Sequence, residues 1–178
     1  MREREECVNE HREFTNSGEG LLNGKKIVIT SGGTIEELDP VRYISNYSSG
    51  KMGLALSDTA FSMGADVTLI TTKDVQRSYN VIEVKSALDM EKAVMNEYTD
   101  SDCVIMAAAV ADYRAKKKSE QKMKKTSDNE ISIELVKNPD ILQRLSSEKT
   151  SQIVVGFCAE SENLLENAKE KINKKGCD

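Results

Sequence analysis

The chain has 178 residues, of which 38% are hydrophobic and 31% charged, a composition typical of one folded domain with its own core. Its formal net charge of -5 argues against a general nucleic-acid binder, because such proteins work by neutralising phosphates. No apolar run approaches the roughly 20 residues needed to cross a bilayer. The charged N-terminus also lacks the apolar segment of a signal peptide, so we expect a cytoplasmic protein without a membrane partner.

The chain begins with a polar segment and then alternates between strand and helix patterns. Residues 1–24 lack apolar periodicity, and we interpret them as a tail or linker before a domain spanning residues 25–178. A buried strand is predicted over residues 26–30, where three consecutive β-branched residues form an apolar run. A long loop rich in Gly and Ser follows, and an amphipathic helix then runs to Met63 and is ended by Gly64. The predicted buried face of this helix consists of Met52, Ala55, Leu56, Ala60 and Met63.

The loop after the first strand has the features of an anion-binding segment. Gly32 and Gly33 follow the strand directly, so the backbone can turn tightly and approach a ligand closely. The loop ends, immediately before the helix, with Ser48, Ser49, Gly50 and Lys51. A helix start offers free backbone N–H groups and a positive dipole end, which suit a phosphate or carboxylate. We therefore predict that these six residues bind the anionic part of a substrate.

The rest of the chain continues the alternation. Strands are predicted over residues 67–71, 81–84, 103–109, 131–136 and 153–157. Helices are predicted to start at Ser86, where Asp89 completes a capping box, at Asn138 with Pro139, and at Ser161. This order predicts an α/β fold, with a Rossmann-like, mostly parallel sheet and helices on both faces. Since another strand should follow the last helix, we expect the C-terminal part of the domain to be missing from the chain.

Several familiar chemistries do not fit these residues. The four cysteines are Cys7, Cys103, Cys158 and Cys177. None forms a C-x-x-C pair and His11 is the only histidine, so we expect neither a zinc site nor a histidine base. A Walker A loop would need glycine where Ser45 stands, and the dinucleotide fingerprint G-x-G-x-x-G is missing. Tyr47 and Lys51 have the spacing of a reductase pair but lie too close to the first strand, which weakens an NAD(P)-dependent reductase as a rival.

Residues 39–53, DPVRYISNYSSGKMG, resemble the signature of the phosphopantothenate–cysteine ligase family, the ligase half of bifunctional coenzyme A biosynthesis proteins. Further motifs of this family follow in the same order. They are AAAVADYR at 107–114, KMKK at 122–125, LVKNPDIL at 135–142 and VGFCAE at 155–160. The resemblance covers residues 25–178.

The resemblance implies a reaction that joins 4′-phosphopantothenate to cysteine. In this family CTP activates the carboxylate as an acyl-cytidylate, pyrophosphate leaves, and the cysteine amine then displaces CMP. The resemblance implies Mg²⁺ or another divalent cation with CTP, and a homodimer; we assign no direct protein ligand to that metal. It also suggests association with the phosphopantothenoylcysteine decarboxylase, whose flavin-dependent half we do not find here, so no flavin is expected. The sequence does not decide between CTP and ATP.

The resemblance also assigns roles to individual residues. Asn46 and Arg42 would contact phosphopantothenate or its acyl-cytidylate as catalytic residues, together with Lys122, which would also meet the triphosphate. The implied nucleotide-binding residues are Met106, Ala107, Ala108, Asp112, Lys122, Pro139, Asp140, Ile141, Leu142, Phe157, Lys171 and Lys175. Asp112 and the backbone of residues 106–108 would read the cytosine.

Most of these assignments have a purely structural alternative. Asp112 could be a helix cap or a turn residue, and Asn46 could be a turn residue that tolerates a positive φ. Arg42 could pair with Asp39 inside a turn. Phe157, at a strand end, fits a core as well as a pocket, and the two lysines of the last helix would ordinarily be solvated.

The residue types nevertheless suit the chemistry that the resemblance implies. A carboxylate that attacks a phosphorus atom is already a nucleophile, so it needs positioning and charge neutralisation rather than a base. This agrees with a chain that has no histidine outside its polar leader. The alternative is a catalytically incomplete relative that binds a nucleotide or a partner without joining anything.

Overall fold

The computed structural model of the protein describes residues 20–124, 131–157, 172 and 174–178. In chain order the elements are β1 (Lys26–Ser31), β2 (Ile35–Asp39), β3 (Arg42–Ser45), α1 (Lys51–Ser62), β4 (Asp66–Thr71), β5 (Asn80–Glu83), α2 (Ala87–Tyr98), β6 (Cys103–Met106), β7 (Tyr113–Ala115), β8 (Leu135–Lys137), α3 (Ile141–Ser147) and β9 (Ile153–Gly156). Most of the helix predicted from Ser161 lies outside the described residues, and Gly176 near its predicted end has φ +66°.

One parallel sheet organises the described part of the chain. Its strands lie in the order β5-β4-β1-β6-β9, so β1 pairs with both β4 and β6. Because side chains alternate along a strand, β1 faces two cores. Ile27 and Ile29 pack on the side of α1, whereas Val28 packs on the side of α2 and α3. The predicted α/β fold with helices on both faces is therefore confirmed.

The predicted buried face of α1 is wrong in part. Met52 is 57% exposed, and Ala55 is also exposed, although Ala60 is buried as predicted. The residues that α1 buries are Gly53, Ser57, Asp58 and Ala60. A Cβ atom on Gly53 would lie 2.6 Å from the backbone oxygen of Thr30, so the helix approaches β1 through its small residues. The apolar periodicity predicted the wrong face of α1, because a helix this close to a strand needs small residues at the contact, whether or not they are hydrophobic.

The segment between β1 and α1, predicted as a loop, contains an antiparallel hairpin formed by β2 and β3. Its turn is held by Asp39, whose Oδ1 accepts a hydrogen bond of 2.8 Å from the N–H of Val41. Glu36 of β2 is buried, and its Oε1 accepts a 2.9 Å bond from the N–H of Ala87 at the start of α2. Acidic residues are depleted in strands, so the sequence of β2 gave no strand signal.

Two strands are shorter than predicted. β6 ends at Met106 rather than at residue 109, because the N–H of Ala108 donates to the hydroxyl of Thr30 (3.1 Å) and so interrupts the ladder, which returns only as an isolated bridge between Ala109 and Gly33. Of the strand predicted over 131–136, only residues from Leu135 onward pair, and their partner is β7.

The start of α3 also differs from the prediction. The N-cap is Asp140, whose Oδ1 accepts a 3.1 Å bond from the N–H of Gln143, and not Asn138. Asn138 instead donates its side-chain amide N–H to the carbonyl oxygen of Ala111 at 2.8 Å. This bond joins the segment before α3 to the segment after β6. Ile141 and Leu145 are buried, as their spacing predicted.

Two local predictions are confirmed in full. Ser86 and Asp89 form a capping box, in which each side chain accepts a hydrogen bond from the backbone N–H of the other. Gly64, at φ +95°, follows the end of α1. The described residues before β1 form a turn that packs on this end of the helix, where the N–H of Leu22 donates to Met63 at 3.0 Å.

Candidate functional site

A cavity of about 680 Å³ opens where β6 and β9 end, beside the start of α3. The carboxyl edge of a parallel sheet is where open α/β folds bind ligands. The predicted nucleotide-binding residues that line the cavity are Met106, Ala108, Asp112, Pro139, Asp140, Ile141, Leu142, Phe157 and Lys175. Three sequence motifs therefore converge on one space.

Three predicted residues are not part of this lining. Ala107 and Lys122 do not border the cavity, and Lys171 lies outside the described residues. Six lining residues were not predicted, namely Val110, Ala111, Tyr113, Lys137, Asn138 and Gln143. Each is within a motif already singled out, or next to it, so widening the motifs by one position would have included them. Phe157 is 53% exposed, which places it at the rim of the cavity and not in a core.

The wall of the cavity is held by polar side chains that bond to backbone. The Nη1 atom of Arg114, on β7, donates both to the carbonyl oxygen of Lys137 (2.7 Å) and to the side-chain oxygen of Asn138 (3.1 Å). The N–H of Asn138 in turn donates to the backbone oxygen of Asp112 at 2.8 Å. This network joins the segment after β6 to the start of α3, and it fixes the backbone from which Asp112 projects.

The charged groups of the cavity differ in whether they have partners. Asp140 caps α3 and pairs with Lys175, whose Nζ lies 3.2 Å from Oδ2. The carboxylate of Asp112 makes no hydrogen bond or ion pair with any residue that the structure describes. A carboxylate of this kind, exposed in a cavity, can accept hydrogen bonds from a ligand.

The glycine loop lies beside this cavity, at the end of β1. Gly32 and Gly50 have φ of +85° and +76°, a conformation that glycine adopts without strain. The hydroxyl of Ser31 donates to the carbonyl oxygen of Gly50 at 2.8 Å and so fixes the loop to the strand. Gly50 is the N-cap of α1, and no side chain caps this helix start. The N–H of Lys51 donates to the hydroxyl of Ser49 at 3.5 Å, and the next N–H groups, those of Met52 and Gly53, have no partner among the described residues and are open to an anion.

Asn46 connects the glycine loop to the cavity. Its Nδ2 atom donates a 3.1 Å hydrogen bond to the carbonyl oxygen of Val110, a residue of the cavity lining. Gly33 permits the close approach of this segment, since a Cβ there would lie 2.6 Å from the backbone oxygen of Asn46. The anion loop and the nucleotide cavity predicted from separate parts of the sequence are therefore adjacent.

Arg42 makes the contacts expected of its structural alternative, a pairing with Asp39 at the hairpin turn. Its Nη2 atom donates to the carbonyl oxygen of Met123 at 2.7 Å, and its Nε atom lies 3.5 Å from the carboxylate of Asp39. Burial raises the pKa of Asp39, but N–H bonds from Val41 and Met123 and the charge of Arg42 bring it below its ordinary value. Arg42 and Asp39 thus hold the segment that carries the exposed Lys122 against the β2–β3 hairpin.

Glu37 provides a second attachment for the same segment. Lys118 and Lys85 both donate to its carboxylate, and these two bonds lower the pKa of Glu37 to about 2. The group is ionised throughout the neutral range, so both ion pairs can form there. It links the segment after β7 to the loop before α2.

We expect this attachment to be lost in acid. A carboxylate whose pKa is lowered on folding stabilises the folded state above its ordinary pKa of 4.5, and this contribution disappears as the pH falls toward about 2. Glu37→Gln should flatten that part of the curve of unfolding free energy against pH, measured by urea denaturation. Glu134→Gln, at a single exposed pair with Lys116, is the control that should leave the acid limb in place. An unchanged limb in Glu37→Gln would contradict the attachment.

The described residues contain neither a metal-holding cluster nor a membrane-spanning helix. Within residues 20–124, 131–157, 172 and 174–178, no three His, Cys, Asp or Glu residues are grouped so as to hold a metal ion. In the same described part of the chain, no helix has the length and apolar character required to cross a membrane.

Comparisons with known proteins agree with this arrangement. The family model described as the DNA/pantothenate metabolism flavoprotein C-terminal domain matches residues 22–178. The coenzyme A biosynthesis bifunctional protein CoaBC of Borreliella burgdorferi is 46% identical over 162 residues, which are 88% of this chain and 42% of that protein. Its counterpart in Vibrio cholerae is 45% identical over 163 residues, 89% of this chain and 41% of that protein. The chain thus spans less than half the length of these relatives.

A solved structure matches the same region. The crystal structure of the C-terminal domain of a coenzyme A biosynthesis bifunctional protein CoaBC superposes with a TM-score of 0.76 at 40% sequence identity. The match covers 88% of this chain and 75% of that one. The likeness therefore extends over most of this chain.

Proposed function

The chain belongs to the family of the DNA/pantothenate metabolism flavoprotein C-terminal domain, and from this we propose that it carries phosphopantothenate–cysteine ligase activity. The reaction joins 4′-phosphopantothenate and L-cysteine through an acyl-cytidylate formed from CTP, and it gives 4′-phosphopantothenoylcysteine for coenzyme A biosynthesis.

The observation that carries this proposal is the cavity at the carboxyl edge of the sheet. It brings together Asp112, Pro139 and Phe157 from three separate motifs, and Asn46 bonds the glycine loop to its wall. A nucleotide in the cavity would have its phosphates near the open start of α1. That arrangement suits a reaction in which one anion attacks a phosphorus atom of another.

The residues of the chain supply binding and positioning in this mechanism. The unpartnered carboxylate of Asp112 accepts a hydrogen bond from the exocyclic amine of cytosine. Lys175, in the cavity lining, and Lys122, on the segment held against the β2–β3 hairpin, contribute positive charge toward the phosphates. The carboxylate of phosphopantothenate is the nucleophile, so no histidine is needed. Mg²⁺, when bound with CTP, contributes charge neutralisation on the phosphates.

The test is a coupled assay on the purified chain. With CTP, 4′-phosphopantothenate and cysteine present, we expect release of pyrophosphate and CMP in equal amounts, with the product identified by mass spectrometry. Replacing CTP with ATP in the same assay shows which nucleotide the chain uses. If CTP binds but no pyrophosphate is released when 4′-phosphopantothenate is added, the proposal is wrong and the chain acts as a nucleotide-binding relative.

The role of Lys122 is tested in the same assay. Lys122→Gln should weaken CTP binding about tenfold, because a charge-assisted hydrogen bond to the triphosphate is lost. Lys117→Gln, an exposed lysine of the same segment, removes the same charge and should leave CTP binding unchanged. Equal effects of the two variants would show that only the general charge of the segment matters.

We further propose a cytoplasmic homodimer that associates with the decarboxylase of the same pathway. Apolar side chains of the hairpin and of the β7–β8 pair are exposed, among them Val41, Tyr43, Tyr113 and Leu135. Exposed apolar surface of this kind is typical of subunit contacts. Sedimentation analysis of the chain alone measures the dimer, and a monomer at all concentrations would overturn it.

A further inference from the structure

Lys73, which no motif singled out, lies over the glycine loop. It follows β4, and its side chain passes next to both loop glycines that have positive φ. The Cε atom of Lys73 lies 3.4 Å from the position a Cβ on Gly32 would take, and its Cγ lies 3.2 Å from the corresponding position on Gly50. The ammonium group, one bond beyond Cε, is therefore beside Gly32 and near the start of α1.

The position of Lys73 is set by the chain on either side of it. Its backbone N–H donates to the hydroxyl of Thr71 at 3.1 Å. Farther along the same loop, Arg77 and Tyr79 donate to the buried carboxylate of Asp58 on α1, at 2.8 and 2.6 Å. The loop between β4 and β5 is thus fastened at both ends, and Lys73 is presented by a held backbone rather than by a free one.

The ammonium group of Lys73 and the hydroxyl group of its neighbour Thr72 both lack the partners that charged or buried groups normally have. The Lys73 ammonium makes no ion pair or side-chain hydrogen bond with any residue in the described part of the chain. The hydroxyl oxygen of Thr72 is shielded from solvent and unpartnered among those residues, and it lies 2.2 Å from the Cβ position of Gly32. Buried hydroxyls are normally satisfied, so an unmet one beside an open helix start indicates a missing acceptor.

We propose that Lys73 binds a phosphate group held at the glycine loop, with Thr72 as a neutral donor and the start of α1 as the third contact. This inference rests on the proposed function, because it assigns a residue to the same anion site. The shared chemistry is a phosphate, supplied either by the triphosphate of the nucleotide or by the phosphate ester of 4′-phosphopantothenate. The glycines at 32 and 50 leave the room that the lysine stem occupies.

The experiment compares Lys73→Met with the wild-type chain by calorimetric titration of pyrophosphate, CTP and 4′-phosphopantothenate separately. Methionine keeps most of the stem that packs on the glycines and removes the charge, so the melting temperature should stay unchanged. We expect about tenfold weaker binding of pyrophosphate and of whichever substrate places its phosphate there, together with a smaller dependence of affinity on salt. Lys73→Arg should restore most of the affinity.

Lys92→Met is the matched control, because it removes one positive charge from the exposed face of α2. Its affinities should equal those of the wild type. If Lys73→Met binds pyrophosphate and both substrates as the wild type does, or loses no more than Lys92→Met, the assignment of Lys73 is overturned. If wild-type chain binds pyrophosphate but neither substrate, the proposed function fails, and the pyrophosphate titration alone still decides the role of Lys73.

Discussion

Asn46→Asp should lower the rate of product formation about a hundredfold or more while the first release of pyrophosphate continues. The Nδ2 atom of Asn46 carries two hydrogens, and one of them is used on the carbonyl oxygen of Val110 at 3.1 Å. The other is available for an oxyanion that forms when the cysteine amine attacks the activated carboxylate. An aspartate has the same size, but it cannot donate and it adds negative charge beside an anion site.

The measurement is a rapid-quench experiment that follows pyrophosphate and final product in one turnover. A burst of pyrophosphate without product is the expected result. Asn80→Asp makes the same chemical change on β5, where the amide donates to Thr68 at 3.3 Å, and it should leave both steps unchanged. Wild-type rates of product formation in Asn46→Asp would contradict a role for this amide in the second step.

The parts of the fold that could be predicted are those set by local chemistry. Ser86 and Asp89 form their capping box because both partners are within one turn, and the apolar run of β1 requires burial on both faces. The hairpin could not be predicted, because β2 is stabilised by distant groups. Glu36 accepts a bond from the start of α2, and Glu37 pairs with lysines on two other segments. The local sequence of this acidic strand does not indicate these distant partners.

The candidate site shows the same division. Asp112 and Pro139 were predicted through their motifs. They meet at one cavity because β7 and β8 pair and the N–H of Asn138 donates to the backbone oxygen of Asp112, which joins the segment after β6 to the start of α3. Lys73 was missed, because its relation to Gly32 and Gly50 exists only after β4 has paired with β1. Asn138 was predicted as a helix cap, and the structure uses its amide to bond the cavity wall instead.

Gly53→Ala should destabilise the protein by about 2 kcal/mol or more, although alanine is the better helix former. At an open helical position this change stabilises by about 1 kcal/mol, so propensity and packing predict opposite signs. A Cβ on Gly53 would lie 2.6 Å from the oxygen of Thr30 and 2.7 Å from the Cβ of Ser31. The first of these is backbone in the central strand of the sheet, which cannot yield without disturbing its ladders to β4 and β6.

Urea denaturation gives the free energy of unfolding, with Thr59→Ala on the exposed face of α1 as the control, expected to be neutral or stabilising by about 0.5 kcal/mol. A Gly53→Ala protein as stable as the wild type would mean that α1 can move away from β1 at no cost. Since Gly50 is the N-cap of α1, any such displacement also moves the start of the helix relative to Gly32. Gly53→Ala should therefore weaken pyrophosphate binding as well, whereas Thr59→Ala should not, which ties the packing of small residues on this helix to the geometry of the anion site.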